Sequence, residues 1–162
     1  MIQRIQSVLL LLAGLVNIAL LWVPFWKYTD KEFTEQINAL GAKVLGQATS
    51  DQTVQSFTDN PVHLAVLLLT LAVSAFLSVI ILQFNNRMLQ MRMCTIGIIL
   101  LMAQTALLGF FTAQGPLLID TTEPGAPQLG LAFPIIALIL TYIAGRRIKA
   151  DEEMVRSADR IR

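Results

Sequence analysis

Asp, Glu, Lys and Arg are missing from four long stretches of this chain, at about 5–25, 62–84, 93–113 and 129–145. Ion-coupled carriers and proton pumps place ionisable groups at membrane depth. Stretches without any exclude both. One cysteine, Cys94, cannot form an internal disulfide or a C-x-x-C redox pair. One histidine, His63, cannot supply two axial ligands to a haem. No His/Asp/Glu cluster suggests a metal, no glycine-rich loop suggests a phosphate, and no Ser, Cys and His converge on a triad. No cofactor is expected, and the chain does not read as an enzyme. On the far side of the membrane, His63, Glu32, Glu35 and Asp59 are the candidates for chemistry, and they are scattered. The net charge of +1 gives no field for nucleic acid.

What is present is apolar length. The 162 residues are 55% hydrophobic and 14% charged. A bilayer core of about 30 Å takes about 20 residues of helix to cross. The runs therefore predict an all-α membrane protein, a four-helix transmembrane bundle forming one domain over 1–162. The first run has one preceding basic residue, Arg4, and no clean cleavage site before the polar loop, so it reads as an uncleaved span.

Charge outside the runs sets orientation. Arg4, Arg87, Arg92 and the tail at 146–162 collect nine Lys or Arg on one face; the loop at 26–61 holds three on the other. The positive-inside rule then places both termini in the cytoplasm. Trp22, Phe25, Trp26 and Tyr28 form an aromatic belt where span 1 leaves the membrane.

In the outer loop, Thr29-Asp30-Lys31-Glu32 resembles a capping box. Phe33, Ile37, Leu40 and Val44 follow at helical spacing. A short amphipathic helix is expected at about 30–47, with an extended segment at 53–57. Asn60-Pro61 launches span 2, Gln114-Gly115-Pro116 breaks span 3, and Glu123-Pro124-Gly125-Ala126-Pro127 turns into span 4. Pro134 falls within the first turns of that span, where a missing N–H matters little. The tail is expected to carry span 4 out of the membrane as a cytoplasmic helical extension, with Lys149–Glu153 and Glu152–Arg156 as i,i+4 pairs.

Within the runs, Asn17, Thr70, Ser74, Ser78 and Gln104 are the candidate interhelical polar contacts. Hydroxyl and small side chains let helices approach and bond. Thr70-Ser74-Ser78 reads as one packing seam. Asn17 and Gln104 are expected in the bundle interior, against each other or a buried water.

Three stretches carry a resemblance. They are Met1-Ile2-Gln3-Arg4-Ile5-Gln6-Ser7; Asn86-Arg87-Met88-Leu89-Gln90 with Arg92-Met93-Cys94; and Pro134–Leu140 with Arg147-Ile148 and Asp151–Arg162. Together they resemble an uncharacterised family of four-span inner-membrane proteins of the Bacteroidota, a domain of unknown function. The resemblance covers nearly the whole chain and is strongest in the tail. It implies the same topology and a place in the bacterial inner membrane, and it gives no reaction. Its most recognisable text lies on the expected cytoplasmic face. There Arg87, Arg92, Arg147, Arg156, Asp159 and Arg160 are candidates to bind a partner. The expected role is a non-catalytic accessory or scaffold subunit that touches the lipid bilayer and a larger membrane complex. The alternative is a small-molecule or lipid-binding protein with a pocket between the spans.

Overall fold

The structure is a computed structural model that describes residues 3–29, 34–45, 61–83, 86–119 and 125–160. Four α-helices stand among the described residues. They are α1 (Gln3–Ile18), α2 (Pro61–Leu82), α3 (Arg87–Ile119) and α4 (Phe133–Arg160). Each helix packs on two others in a ring: α1 on α2 and α4, and α3 on α2 and α4. Three helices are long and apolar enough to cross a membrane, and the first is shorter, an apolar stretch over Ile5–Leu21.

The first run is therefore not one straight span to residue 25. Its α-helix stops at Ile18, tightens into a 3-10 turn at Ala19–Leu21, and then turns away. Pro24 bars any continuation, because it has no N–H to give the Leu20 carbonyl, which accepts from Ala39 instead. The third run departs in the other direction. Helix α3 continues through Gly115 and Pro116 to Ile119, so the expected break is not there. A proline removes one intrahelical bond; with 33 residues in the helix, that loss is local.

Four strands form a sheet at the end away from the termini. They are β1 (Trp26–Thr29), β2 (Thr34–Asn38), β3 (Gly41–Leu45) and β4 (Ala126–Pro127), in the order β3-β2-β1-β4, with every pairing antiparallel. The helix expected over 30–47 is thus replaced, in its described part, by a hairpin. The physical reason lies at its tip. Asn38 pairs with Gly41 across a two-residue link, and the Asn38 Oδ1 accepts from the Leu40 N–H at 3.1 Å. An Asn side chain that bonds its own backbone two residues on favours a turn over a helix. Ile37 is buried while Leu40 is 51% exposed, so the two do not share the face that helical spacing suggested.

The hairpin fills the space that α1 vacates. Phe25, Ile37 and Ala39 pack with Leu20, Leu21, Val66, Leu108 and Phe111. The Ala39 N–H donates to the Leu20 carbonyl at 3.2 Å, and the Phe25 N–H to the Ile37 carbonyl at 2.8 Å. Phe25 therefore belongs to the core rather than to an aromatic belt, whereas Trp22 is exposed. A second cluster fills the rest of the bundle, including Leu10, Val73, Leu77, Ile80, Cys94, Leu101, Ala144 and Ile148.

Helix α4 runs unbroken to Arg160, as the sequence predicts, and Pro134 is its second residue. Its extension begins packed on the bundle, with Ile148 and Asp151 buried. The capping-box residues 30–32, the 53–57 segment, Asn60 and the Glu123-Pro124 entry lie outside the described residues, as do the side chains of Glu35, Arg156, Asp159 and Arg160. The Glu152–Arg156 pair falls there too.

Candidate functional site

A polar layer separates the two apolar clusters. It is built from three helices. Asn17 lies between Ala13 and Leu20 on α1, Thr70 between Val66 and Val73 on α2, and Gln104 between Leu101 and Leu108 on α3. Thr70 is nine residues after Pro61 and twelve before Leu82, so it sits about 14 Å and about 18 Å from the two ends of α2. That is close to mid-helix.

Thr70 is the hub. The Gln104 Nε2 donates to its hydroxyl at 3.1 Å, and that hydroxyl donates to the Val66 carbonyl at 2.7 Å. The Asn17 Nδ2 donates to the Ser74 Oγ at 3.0 Å and leans toward the Thr70 carbonyl at 3.4 Å. Asn17 and Gln104 thus meet on the same residue rather than each other. Both amide orientations follow from valence. The Thr70 carbonyl can only accept, and the Thr70 hydroxyl has already spent its proton on Val66. This leaves the Asn17 Oδ1 and the Gln104 Oε1 fully buried with no donor among the described residues.

Ser78 does not join this layer. It is exposed, and its hydroxyl bonds the Ser74 carbonyl of its own helix at 2.9 Å. With Gly14, Ser74 and Ala75 it lines a groove of about 660 Å³ between α1 and α2. The three-residue seam therefore splits: Thr70 and Ser74 face in, and Ser78 faces out.

The termini end carries a second polar set that sequence reasoning missed. The Gln6 Nε2 donates to the Asp151 Oδ2, with both side chains buried. The Gln90 Nε2 donates to the Ile80 carbonyl at 3.3 Å. Gln6 lies inside the first apolar run, and Asp151 follows buried Ile148 by three residues. That spacing puts both on one helix face and was the available signal. Arg87 is half-buried, and Arg92 and Arg147 are exposed at this same end. The expected Lys149–Glu153 pair is present at 3.9 Å on the surface.

At the sheet end, His63 is buried beside Phe111, with ring centroids 6.4 Å apart. Docking of the hairpin over α2 accounts for this. Gly130 marks where the sheet end closes. Its N–H donates to the Pro24 carbonyl at 3.0 Å, and an added Cβ would stand 2.7 Å from that oxygen.

Amides and hydroxyls carry no proton that titrates near neutral pH. The layer can position helices and accept hydrogen bonds. Among the described residues, no group of three His, Cys, Asp or Glu could hold a metal ion. No curated protein and no solved structure matches the chain. Over residues 2–161 it matches one family model, and the chain belongs to that family, the domain of unknown function DUF4293.

Proposed function

We propose that the protein is a non-catalytic accessory subunit of the bacterial cytoplasmic membrane. Both termini lie in the cytoplasm, and the end of α4 docks a larger membrane assembly. The bilayer part of this reading draws on apolar side chains that point outward along the helices. Leu15, Leu68, Ile99, Met102 and Ile139 are all at least half exposed. A soluble monomer rarely shows so extended an apolar surface. The orientation draws on the nine-to-three division of Lys and Arg.

One observation carries the docking role. Beyond Asp151, which is held by Gln6, helix α4 continues for nine residues to Arg160, about 14 Å further. On that projection Met154 is 54% and Val155 45% exposed. A methionine on a helix that the bundle holds at its base is an adaptable apolar contact. Arg147 at its base, with Arg156, Asp159 and Arg160 along it, would set partner choice by charge.

The test is affinity purification in mild detergent of the full chain and of the M154S/V155S variant. The expected result is one membrane partner recovered in stoichiometric amount with the first and lost with the second. Recovery of the lone protein in both cases would overturn the reading.

A second reading, binding of a small apolar molecule or lipid between the spans, is supported by the α1–α2 groove at Gly14 and Ser78. It expects a defined molecule to be extractable from the purified protein and to be lost in S78F.

A further inference from the structure

Helix α4 carries a cleft of about 380 Å³ lined by Tyr142, Ile143, Arg146, Arg147 and Ala150. Two of its five lining residues are arginines. The Arg146 guanidinium carbon lies 6.0 Å from the centre of the Tyr142 ring, within reach of a cation–π contact. Among the described residues no carboxylate pairs with either arginine. Two acids further along the helix are engaged elsewhere: Asp151 is turned to Gln6, and Glu153 lies against Lys149. Ala150 at the mouth contributes no bulk.

The rest of the argument is a length. Ile135, Ile139, Tyr142 and Ile143 are exposed and lead along α4 into the two arginines. From Ile135 to Arg146 is eleven residues, about 16 Å of helix. One leaflet of hydrocarbon is about 15 Å, half of the bilayer core. A lipid whose phosphate meets Arg146 and Arg147 would lay its chains along the exposed isoleucines and end near Ile135. Guanidinium forks bind phosphate oxygens in pairs, and with the phosphate there Tyr142, one turn before Arg146, would stand at the depth where an amphipathic ring prefers to be.

We propose that Tyr142, Arg146, Arg147 and Ala150 form a headgroup site for an anionic phospholipid in the leaflet on the side of the termini. The site needs the long apolar helices to cross a bilayer, and it does not need the docking role of Met154 and Val155. Its lipid supplies negative charge where two unpaired cations meet at the edge of the hydrocarbon. Net charge on the lipid is essential, because a zwitterionic headgroup brings its own cation to the same cleft.

Native mass spectrometry of the full chain in mild detergent tests this with three probes: phosphatidylglycerol, phosphatidylcholine and inorganic phosphate. Retained phosphatidylglycerol adducts are expected, with phosphatidylcholine and inorganic phosphate held weakly. The R146Q/R147Q variant should weaken phosphatidylglycerol by about thirtyfold, as two basic contacts at a membrane surface imply. K149Q, which removes a neighbouring charge outside the cleft, should leave binding as it was. R146K/R147K keeps both charges and should bind at an intermediate level, which also serves if the glutamine pair does not accumulate. Equal retention of the two lipids, equal loss in K149Q, or phosphate binding as tight as that of phosphatidylglycerol would overturn the proposal.

Discussion

Gln104 and Thr70 are joined in one direction only: the amide nitrogen donates and the hydroxyl accepts, because the hydroxyl proton is already given to Val66. Replacing Thr70 with Val keeps the shape and removes the acceptor. Interhelical hydrogen bonds of this kind contribute about 0.6 kcal/mol on average and up to about 1.7. Since the Gln104 nitrogen is then left buried, T70V is expected near the top of that range. Q104L alone removes the amide as well, and T70V/Q104L should lose less than the sum of the two. Denaturant unfolding in detergent of the four proteins measures the coupling.

Ile37 and Leu40 separate the hairpin from the helix that spacing suggested. Ile37 is 1% exposed and packed in the sheet-end cluster, and Leu40 is mostly in the open. Truncation of a buried isoleucine to alanine loses about 2–5 kcal/mol, whereas an exposed site changes by about 0.5 or less. I37A should therefore lower thermal stability sharply and L40A should not. Equal effects would restore the amphipathic helix.

Gly130 has no room for a methyl group, since the atoms that would crowd it are the carbonyls of Val23 and Pro24. Backbone cannot swing aside as a side-chain end does. G130A is expected to destabilise by about 1–3 kcal/mol, the range of overpacking. Hydrogen exchange should quicken first at Gln128 and Gly130, whose N–H groups donate to Phe25 and Pro24.

Gly145 faces Cys94 across the α3–α4 contact, with an added Cβ 3.5 Å from the cysteine's own. Cβ atoms in disulfides lie about 3.5–4.5 Å apart. Oxidation of G145C should close a bond to Cys94 within one chain, detected by peptide mapping before and after reduction. A shift of two residues along the helix, I143C, should not close it.

Asp151 and Gln6 fasten the first turn of α1 to α4. D151N keeps an acceptor for Gln6 and should lose little. D151A leaves the Gln6 amide unpaired and is expected to cost about 1–3 kcal/mol. Proteolysis at the N-terminus, monitored by intact mass, should rise in D151A and stay low in D151N.

The helices were legible because uncharged runs of such length have few other uses. The polar layer was legible in the same way: Asn17, Thr70, Ser74 and Gln104 stand out where every neighbour is apolar. The sheet was not. Ile37, Leu40 and Val44 are spaced for a helix, and the opposing evidence, an Asn three residues before a Gly, occupies four positions. The pairing of Trp26 and Lys27 with Pro127 and Ala126 spans a hundred residues, and no local pattern carries it. Nor could Pro24 alone say that α1 ends at Ile18, since the hairpin that takes over its space is assembled from elsewhere. Asp151 was hidden for another reason. Among so many tail charges, its place three residues after Ile148 is a faint mark, and packing against Gln6 is what sets it apart.

The pairing of β1 with β4 also bears on the order in which the fold can be completed. A ribosome delivers Trp26 and Lys27 early, and their second neighbour emerges only after both α2 and α3 have been made. Until then the Pro24 and Phe25 carbonyls, which receive the Gly130 and Gln128 N–H groups, await their donors. The short first helix is thus finished by the last part of the chain. A nascent protein released before residue 130 would carry α1, α2 and α3 and lack both α4 and the closure that holds the hairpin over the bundle.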